Sequence, residues 1–113
     1  MKIALVMHPV QNLDTALRFY GDTIGLPTRF RDGDRFAALD AGGVTLALVA
    51  RDERILDTPA LAWQVDDIDT AMARLVAAGA RVVQPPQKGP HEWRAVLRDV
   101  DGHPLVLAAR LAA

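Results

Sequence analysis

The stretch VQNLDTAL at residues 10–17 returns as VDDIDTAM at residues 65–72, which is 55 positions later. A second pair follows in the same order: DAGGVTLAL at residues 40–48 and DVDGHPLVL at residues 99–107 share the pattern D-x-x-G-x-x-L-x-L at an offset of 59. Two ordered matches predict an internal repeat with a short insertion between the matched blocks. Because a half of about 50 residues is too small to bury an adequate core alone, we expect the halves to pack together or to pair with halves of another chain.

The repeated stretch predicts a helix in each half. Apolar residues recur at helical spacing, at Leu13, Ala16, Leu17, Tyr20 and Ile24 in the first half and at Ile68, Ala71, Met72 and Leu75 in the second. Asn12 and Asp67 are suitable N-caps, because their side chains accept hydrogen bonds from backbone amides of the first helical turn. Gly25 and Gly79 follow the last turns, where glycine adopts the left-handed conformation that ends many helices.

Strands are predicted on both sides of each helix. They lie at residues 2–7, 27–32, 35–40 and 44–50 in the first half, and at 61–65, 80–84, 92–98 and 104–110 in the second. The dipeptide Pro85-Pro86 predicts a break after the second-half helix and its next strand. Residues 51–59 are charged and end in Thr-Pro, which is typical of a linker. The sequence therefore predicts a single domain over residues 1–113, in which a βαβββ module occurs twice, at 1–50 and at 60–113.

Composition and charge exclude several classes of function. Half of the 113 residues are hydrophobic and 24% are charged, as in an ordinary globular domain. The formal net charge is −1 and no basic run is present, which disfavours a nucleic-acid partner. No apolar stretch approaches the roughly 20 residues that span a bilayer, and no secretory signal is visible. Without cysteine the chain has no disulfide, thiolate metal site or cysteine nucleophile. We expect a cytoplasmic protein that binds neither nucleic acid nor membrane.

The doubled module resembles the vicinal oxygen chelate superfamily, which includes glyoxalase I, extradiol dioxygenases, fosfomycin-resistance enzymes and bleomycin-resistance proteins. The resemblance covers essentially the whole chain. It is carried by Asn12-Leu13-x-x-Ala16-x-x-Phe19-Tyr20 with Gly25-Leu26, and by Asp99-Val100-Asp101-Gly102 followed by Leu105-x-Leu107, where Val100 replaces a usual proline. It implies an α+β fold in which two βαβββ modules form a cupped mixed sheet with helices on the outside. It also implies a homodimer, whose modules pair within one chain or swap between chains.

The metal site of this superfamily has no counterpart in the sequence. Metal-dependent members hold a divalent ion with one side chain from the first and one from the last strand of each module, usually His and Glu. Under the resemblance these positions fall on Leu5, Ala47, Ala60 and Val106, and a shift by one residue again reaches apolar residues or proline. The resemblance is therefore to the metal-free, bleomycin-resistance-like branch, and it implies no metal and no other cofactor.

The lost metal-ligand positions predict which strand residues line the cup, because strand side chains alternate between faces. The predicted ligand-binding residues are Leu5, Met7, Thr45, Ala47, Ala60, Ala62, Gln64, Trp93, Ala95 and Val106. Small apolar residues leave room for a flat guest, Gln64 and Thr45 offer polar contacts, and Trp93 offers a stacking surface. An apolar face of this kind also fits a filled core or a subunit contact.

Catalytic signals are sparse. His91, beside Glu92 and Trp93, is a weak candidate for a catalytic residue at the pocket rim. His8 fits a capping or packing role and His103 fits a solvated turn. The sequence therefore predicts a metal-independent binding protein that sequesters an antibiotic or another small, partly aromatic ligand. A net charge near zero favours a neutral or modestly charged guest. A metal-independent lyase or isomerase that uses the same cup, or a non-catalytic dimerising module, remains an alternative.

Overall fold

The computed structural model describes residues 1–111 and has an α+β architecture. Its elements are β1 (Lys2–Pro9), α1 (Leu13–Leu17), β2 (Thr28–Asp32), β3 (Phe36–Asp40), β4 (Thr45–Val49), β5 (Ala60–Gln64), α2 (Ile68–Ala77), β6 (Arg81–Lys88), β7 (Glu92–Arg98) and β8 (Pro104–Arg110). A π-helical segment, Arg18–Thr23, continues α1, and a 3-10 turn, Arg51–Glu53, follows β4. The predicted βαβββ order occurs twice. No helix among the described residues is long and apolar enough to span a membrane.

The chain divides into two compact units, which have the same strand order. Unit one is Leu5–Pro59, and unit two runs from Ala60 and includes Met1–Ala4. In unit one the strands lie in the order β2-β3-β4-β1, with β1 parallel to β4 and the other pairs antiparallel. In unit two the order is β6-β7-β8-β5, with β5 parallel to β8 and the other pairs antiparallel. Each unit therefore contains both parallel and antiparallel strand pairs, as the repeat and the resemblance imply.

The helical segment of each half begins and ends where the sequence predicts, but in the first half the α-helix ends at Leu17 and the segment continues as a π-helix. The Asn12 side chain accepts a hydrogen bond from the Thr15 amide at 2.9 Å. The Asp67 carboxylate accepts from the amides of Asp69 and Thr70, at 3.1 and 3.2 Å. Gly25 and Gly79 have φ angles of 93° and 109°, in the left-handed region that favours glycine. The N-cap and C-terminal glycine predictions are confirmed in both halves.

Each helix packs on one face of its own unit's strands, and we call that the outer face and the opposite one the inner face. In unit one the buried cluster on the outer face is Leu13, Ala16, Ala37, Leu39, Leu48 and Ala50. In unit two it is Val65, Ile68, Ala71, Met72, Ala95, Leu97, Leu107 and Ala109. Trp63, which projects to the opposite face from Ala60 and Ala62, packs against this second cluster. The outer faces supply the apolar burial that stabilises each unit.

The second repeated pattern, D-x-x-G-x-x-L-x-L, forms the turn before the last strand of each unit. Asp40 accepts hydrogen bonds from the amides of Gly42 and Gly43, at 3.0 and 3.3 Å. Asp99 accepts from the amides of Asp101 and His103, both at 2.9 Å. In both units, therefore, an aspartate side chain accepts hydrogen bonds from backbone amides a few residues later in the turn. Aspartate favours turns of this kind.

The prediction of a break at Pro85-Pro86 is wrong. Strand β6 runs through both prolines to Lys88 and pairs with β7. Its register shifts twice, on either side of Gln84. Proline lacks an amide donor and is therefore tolerated at bulges and on edge strands, and β6 ends the strand order of unit two.

The start of the predicted linker is ordered. Residues 51–53 form the 3-10 turn, in which Glu53 is only 2% exposed. Arg35 forms an ion pair with Asp52 at 3.0 Å, and Arg51 forms one with Asp34 at 2.6 Å. These contacts bind the turn to the β2–β3 hairpin of unit one. The charged residues that resemble a linker in sequence are therefore partly structural.

Candidate functional site

The inner face of unit one is apolar at its centre. The register places Met7 beside Ala47, Ala47 beside Ala38, and Ala38 beside Phe30. Residues paired in this way project to the same face, and Met7 and Ala47 are 4% and 0% exposed. Exposure increases toward Phe30, whose exposed fraction is 48%. The four predicted residues of this half, Leu5, Met7, Thr45 and Ala47, lie on this face.

Two phenylalanines, Phe30 and Phe36, border this face. Phe36 is opposite Val49, two residues from Ala47, and so shares the inner face. The rings of Phe30 and Phe36 lie 6.0 Å apart at 55° to one another, within the range of attractive aromatic pairs. A register shift between Thr28 and Phe30 changes the alternation along β2. Because the shift has no clear sequence signal, counting residues along β2 could not assign Phe30 to a face.

The inner face of unit two is apolar at one end and polar at the other. Ala62 is beside Val106, which is beside Val96, and all three are at most 2% exposed. Gln64 is beside Ala108, which is beside Arg94 in β7. The predicted residues on this face are Ala60, Ala62, Gln64 and Val106.

The placement of Trp93 and Ala95 on the inner face is wrong. Trp93 is opposite Ala109 and Ala95 is opposite Leu107, and both partners belong to the cluster beneath α2. The outer face of β7 therefore carries the odd-numbered residues. The face of a strand depends on its register with a neighbour, and the pairing of β7 with β8 is not encoded within β7 itself. The stacking surface that we expected from Trp93 is absent from the inner face of unit two.

Arg94 occupies the inner face instead and is 7% exposed, which is unusual for a charged side chain. Its position depends on Gly89, in the β6–β7 hairpin. A Cβ atom at residue 89 would lie 3.0 Å from Arg94 Nε and 3.2 Å from the Glu92 carbonyl oxygen. Gly89 therefore leaves the space in which the guanidinium lies.

The residues present do not fit the metal centre of the superfamily. Leu5, Ala47, Ala60 and Val106 carry hydrocarbon side chains, which have no lone pair to donate. Within residues 1–111 no group of three or more His, Asp or Glu side chains could hold a metal ion. No chemical step through a family-type metal is therefore assigned to this chain.

The histidines occupy three different settings. His8 Nε2 and the Tyr20 hydroxyl form a hydrogen bond of 2.9 Å, and the two rings meet edge to face at 5.4 Å. His103 lies in the Asp99 turn, as predicted. His91 is exposed in the hairpin between β6 and β7, and its catalytic role remains a prediction.

Asp40, Asp67 and Asp99 carry the clearest electrostatic perturbations among the carboxylates. The hydrogen bond from Arg29, followed by the amides of Gly43 and Gly42, lowers the pKa of Asp40. Backbone and side-chain hydrogen bonds from Thr70 lower the pKa of Asp67. The His103 amide lowers the pKa of Asp99. The shifts are explained by an ion pair and a turn at Asp40, by the helix cap at Asp67 and by the turn at Asp99, so they do not mark a catalytic acid or base.

Known proteins resemble this chain over nearly its whole length. The model of the glyoxalase-like domain matches residues 4–108. A protein of Mycolicibacterium smegmatis, named only as uncharacterized, is 37% identical over 111 residues, which is 97% of this chain and 95% of that protein. This match and the domain model are strong enough to show the family.

Solved structures share the fold at lower identity. The NAD-dependent benzaldehyde dehydrogenase from Legionella pneumophila has a TM-score of 0.79 at 22% identity, covering 95% of this chain and 98% of that one. Methylmalonyl-CoA epimerase from Mycobacterium tuberculosis has a TM-score of 0.73 at 22% identity, covering 98% and 89%. A glyoxalase/bleomycin resistance protein/dioxygenase superfamily member from Vibrio splendidus has a TM-score of 0.69 at 16% identity, covering 93% and 96%. This chain belongs to the glyoxalase-like domain family of the vicinal oxygen chelate superfamily.

Proposed function

We propose that this protein is a metal-independent binder of a small, partly aromatic molecule, which contacts the inner face of unit one. The observation that carries the proposal is the composition of that face. Apolar side chains surround the positions of the lost metal ligands, and the Phe30–Phe36 pair lies at the side where exposure increases. Ligand pockets are typically apolar surfaces with a few polar groups that orient the guest, and Thr45 supplies one such group.

Small side chains at the centre of the face favour a flat guest. Ala38 is partly exposed and lies between the buried Ala47 and Phe30 in the strand register, so its small side chain leaves the surface open beside Phe30. An aromatic ring that lies over Ala38 can meet the edges of Phe30 and Phe36 in the offset or edge-to-face geometry that aromatic pairs favour. The ligand class is therefore that of planar aromatic molecules, aromatic antibiotics among them.

A catalytic function has less support from the residues. The sequence candidate, His91, is exposed in a hairpin of unit two, and the perturbed aspartates belong to caps and turns. A binding protein needs neither a general base nor a metal. Binding is therefore the function that this arrangement of side chains favours.

The test is titration of the 15N-labelled protein with 2-naphthol, a neutral aromatic probe, monitored by amide chemical shifts. We expect saturable shifts at the amides of Phe30, Ala38 and Ala47. Phe30→Ala should weaken binding by about tenfold, because a lost aromatic contact costs about 1 kcal/mol beyond the lost buried area. Phe19→Ala is the matched control, since Phe19 is 55% exposed on the helical segment of the same unit. Equal affinity of both variants, or shifts confined to other surfaces, would contradict the proposal.

A further inference from the structure

A cavity of about 450 Å³ lies in unit two, where the parallel strands β5 and β8 end. Its lining residues are Met1, Lys2, Gln64, Val65, Asp66 and Arg110. Gln64 and Arg110 project to the inner face, because their neighbours Val65 and Ala109 belong to the core beneath α2. The cavity is of the size of small-molecule sites in proteins.

Two basic side chains face this cavity. Within residues 1–111, the side chains of Lys2 and Arg110 form neither an ion pair nor a hydrogen bond, although Glu92 is opposite Arg110 in the register of β7 and β8. Two cationic groups that line one cavity repel each other, and an anion between them would relieve that repulsion. The geometry therefore favours an anionic guest.

Asp66 limits the charge of that guest. Asp66 precedes Asp67, the N-cap residue of α2, and the positive end of a helix dipole favours negative charge. Among the side chains that line the cavity, the two cations of Lys2 and Arg110 outnumber the single carboxylate of Asp66 by one positive charge. This excess of positive side chains favours an anionic guest over a neutral one, and a single carboxylate is enough to neutralise it.

The remaining lining defines the body of the guest. Met1 and Val65 are the apolar residues of the lining. Gln64 offers both an amide donor and an amide acceptor. These groups fit a molecule with one charged end and an apolar body.

We propose that this cavity binds a small monocarboxylic acid, with Arg110 and Lys2 binding the carboxylate and Gln64 donating a further hydrogen bond. The planar guanidinium of arginine matches a carboxylate in bidentate geometry, and the ammonium of lysine adds a point charge. This inference rests on the proposed function only in taking the chain to be a small-molecule binder. It adds a separate site, in unit two, for molecules that carry one acidic group.

The test compares benzoate with its neutral analogue benzamide in amide-shift titrations of the full chain. We expect benzoate to shift the amides of Gln64, Val65 and Arg110 saturably, and to bind at least about tenfold more tightly than benzamide, as the loss of a charge-assisted contact implies. Arg110→Gln should weaken benzoate binding by about tenfold, and Arg110→Lys should restore part of it. Arg74→Gln is the matched control, because Arg74 is exposed on α2. Raising the salt concentration should weaken binding of benzoate but not of benzamide.

The outcomes separate this inference from the proposed function. Equal binding of benzoate and benzamide, or an unchanged affinity in Arg110→Gln, would overturn the carboxylate site. If 2-naphthol still shifts the amides of Ala38 and Ala47 in that case, the proposed function stands and only the inference fails. If benzoate shifts the cavity amides but 2-naphthol shifts nothing on unit one, the inference stands and the aromatic site fails.

Discussion

At the scale of single residues, Gly89 and Arg94 show how a small side chain positions a large one. The Gly89 amide donates to the Glu92 carbonyl at 2.8 Å, so the backbone at residue 89 is held in the hairpin. Any Cβ atom there would meet the guanidinium of Arg94 at 3.0 to 3.1 Å. Because Arg94 is buried, its side chain has little room in which to move away.

We therefore expect Gly89→Ala to lower the free energy of unfolding by about 1 kcal/mol, through overpacking against Arg94. Urea unfolding measures the change in stability, and the Arg94 Nε resonance reports whether the guanidinium has moved. Gly21→Ala is the control, because its Cβ atom would meet only the Leu26 carbonyl oxygen, at an ordinary 3.8 Å. If the Gly89→Ala protein is as stable as Gly21→Ala and its Arg94 resonance is unshifted, a Cβ atom at residue 89 fits without displacing Arg94. That result would contradict the prediction.

At the scale of elements, the helix caps and turns could be predicted from the sequence, whereas the register between strands could not. Side chains that bond to their own backbone, such as Asn12 at the start of α1 and Asp99 in its turn, lie within a few residues of their partners. The face of β7 instead depends on pairing with β8, and the face of Phe30 depends on a register shift in β2. Those long-range alignments explain why Trp93 was misplaced and why the Phe30–Phe36 pair was not found.

The Asp99 turn also sets a pH dependence. The amides of His103 and Asp101 favour the charged carboxylate, so the pKa of Asp99 in the folded protein lies below its ordinary value of 3.8. Such a group stabilises the fold above the unfolded pKa, and this contribution is lost as pH falls through the folded pKa. We expect Asp99→Asn to show a shallower loss of stability between about pH 4 and pH 2 than the wild type.

Urea unfolding at several pH values measures that difference. Asp57→Asn is the control, because the Asp57 side chain is 97% exposed and its nearest cation, Arg54, is 3.9 Å away. We expect this variant to follow the wild-type acid profile. An Asp99→Asn protein whose stability falls as steeply as that of the wild type would contradict the role assigned to the turn.

At the scale of the whole molecule, the internal repeat predicts the fold, and the apolar residues at the metal-ligand positions limit the chemistry. The paired motifs predicted two βαβββ modules, and the family match over residues 4–108 agrees with them. The resemblance implies metal-ligand positions at Leu5, Ala47, Ala60 and Val106, and the offsets between the two halves agree with that assignment. Comparing the two halves of the sequence could not predict the buried Arg94, the Phe30–Phe36 pair or the cavity at Gln64. All three depend on strand register and packing.

The central claim is that this chain binds a small molecule without a metal. Native mass spectrometry of the dialysed protein tests it most directly, with Zn²⁺ or Mn²⁺ added in one set of samples and 2-naphthol or benzoate in another. We expect no stoichiometric metal adduct and a one-to-one adduct with an organic probe. Stoichiometric metal retained through dialysis, with no organic adduct, would contradict the account, because it would show that this chain binds a metal.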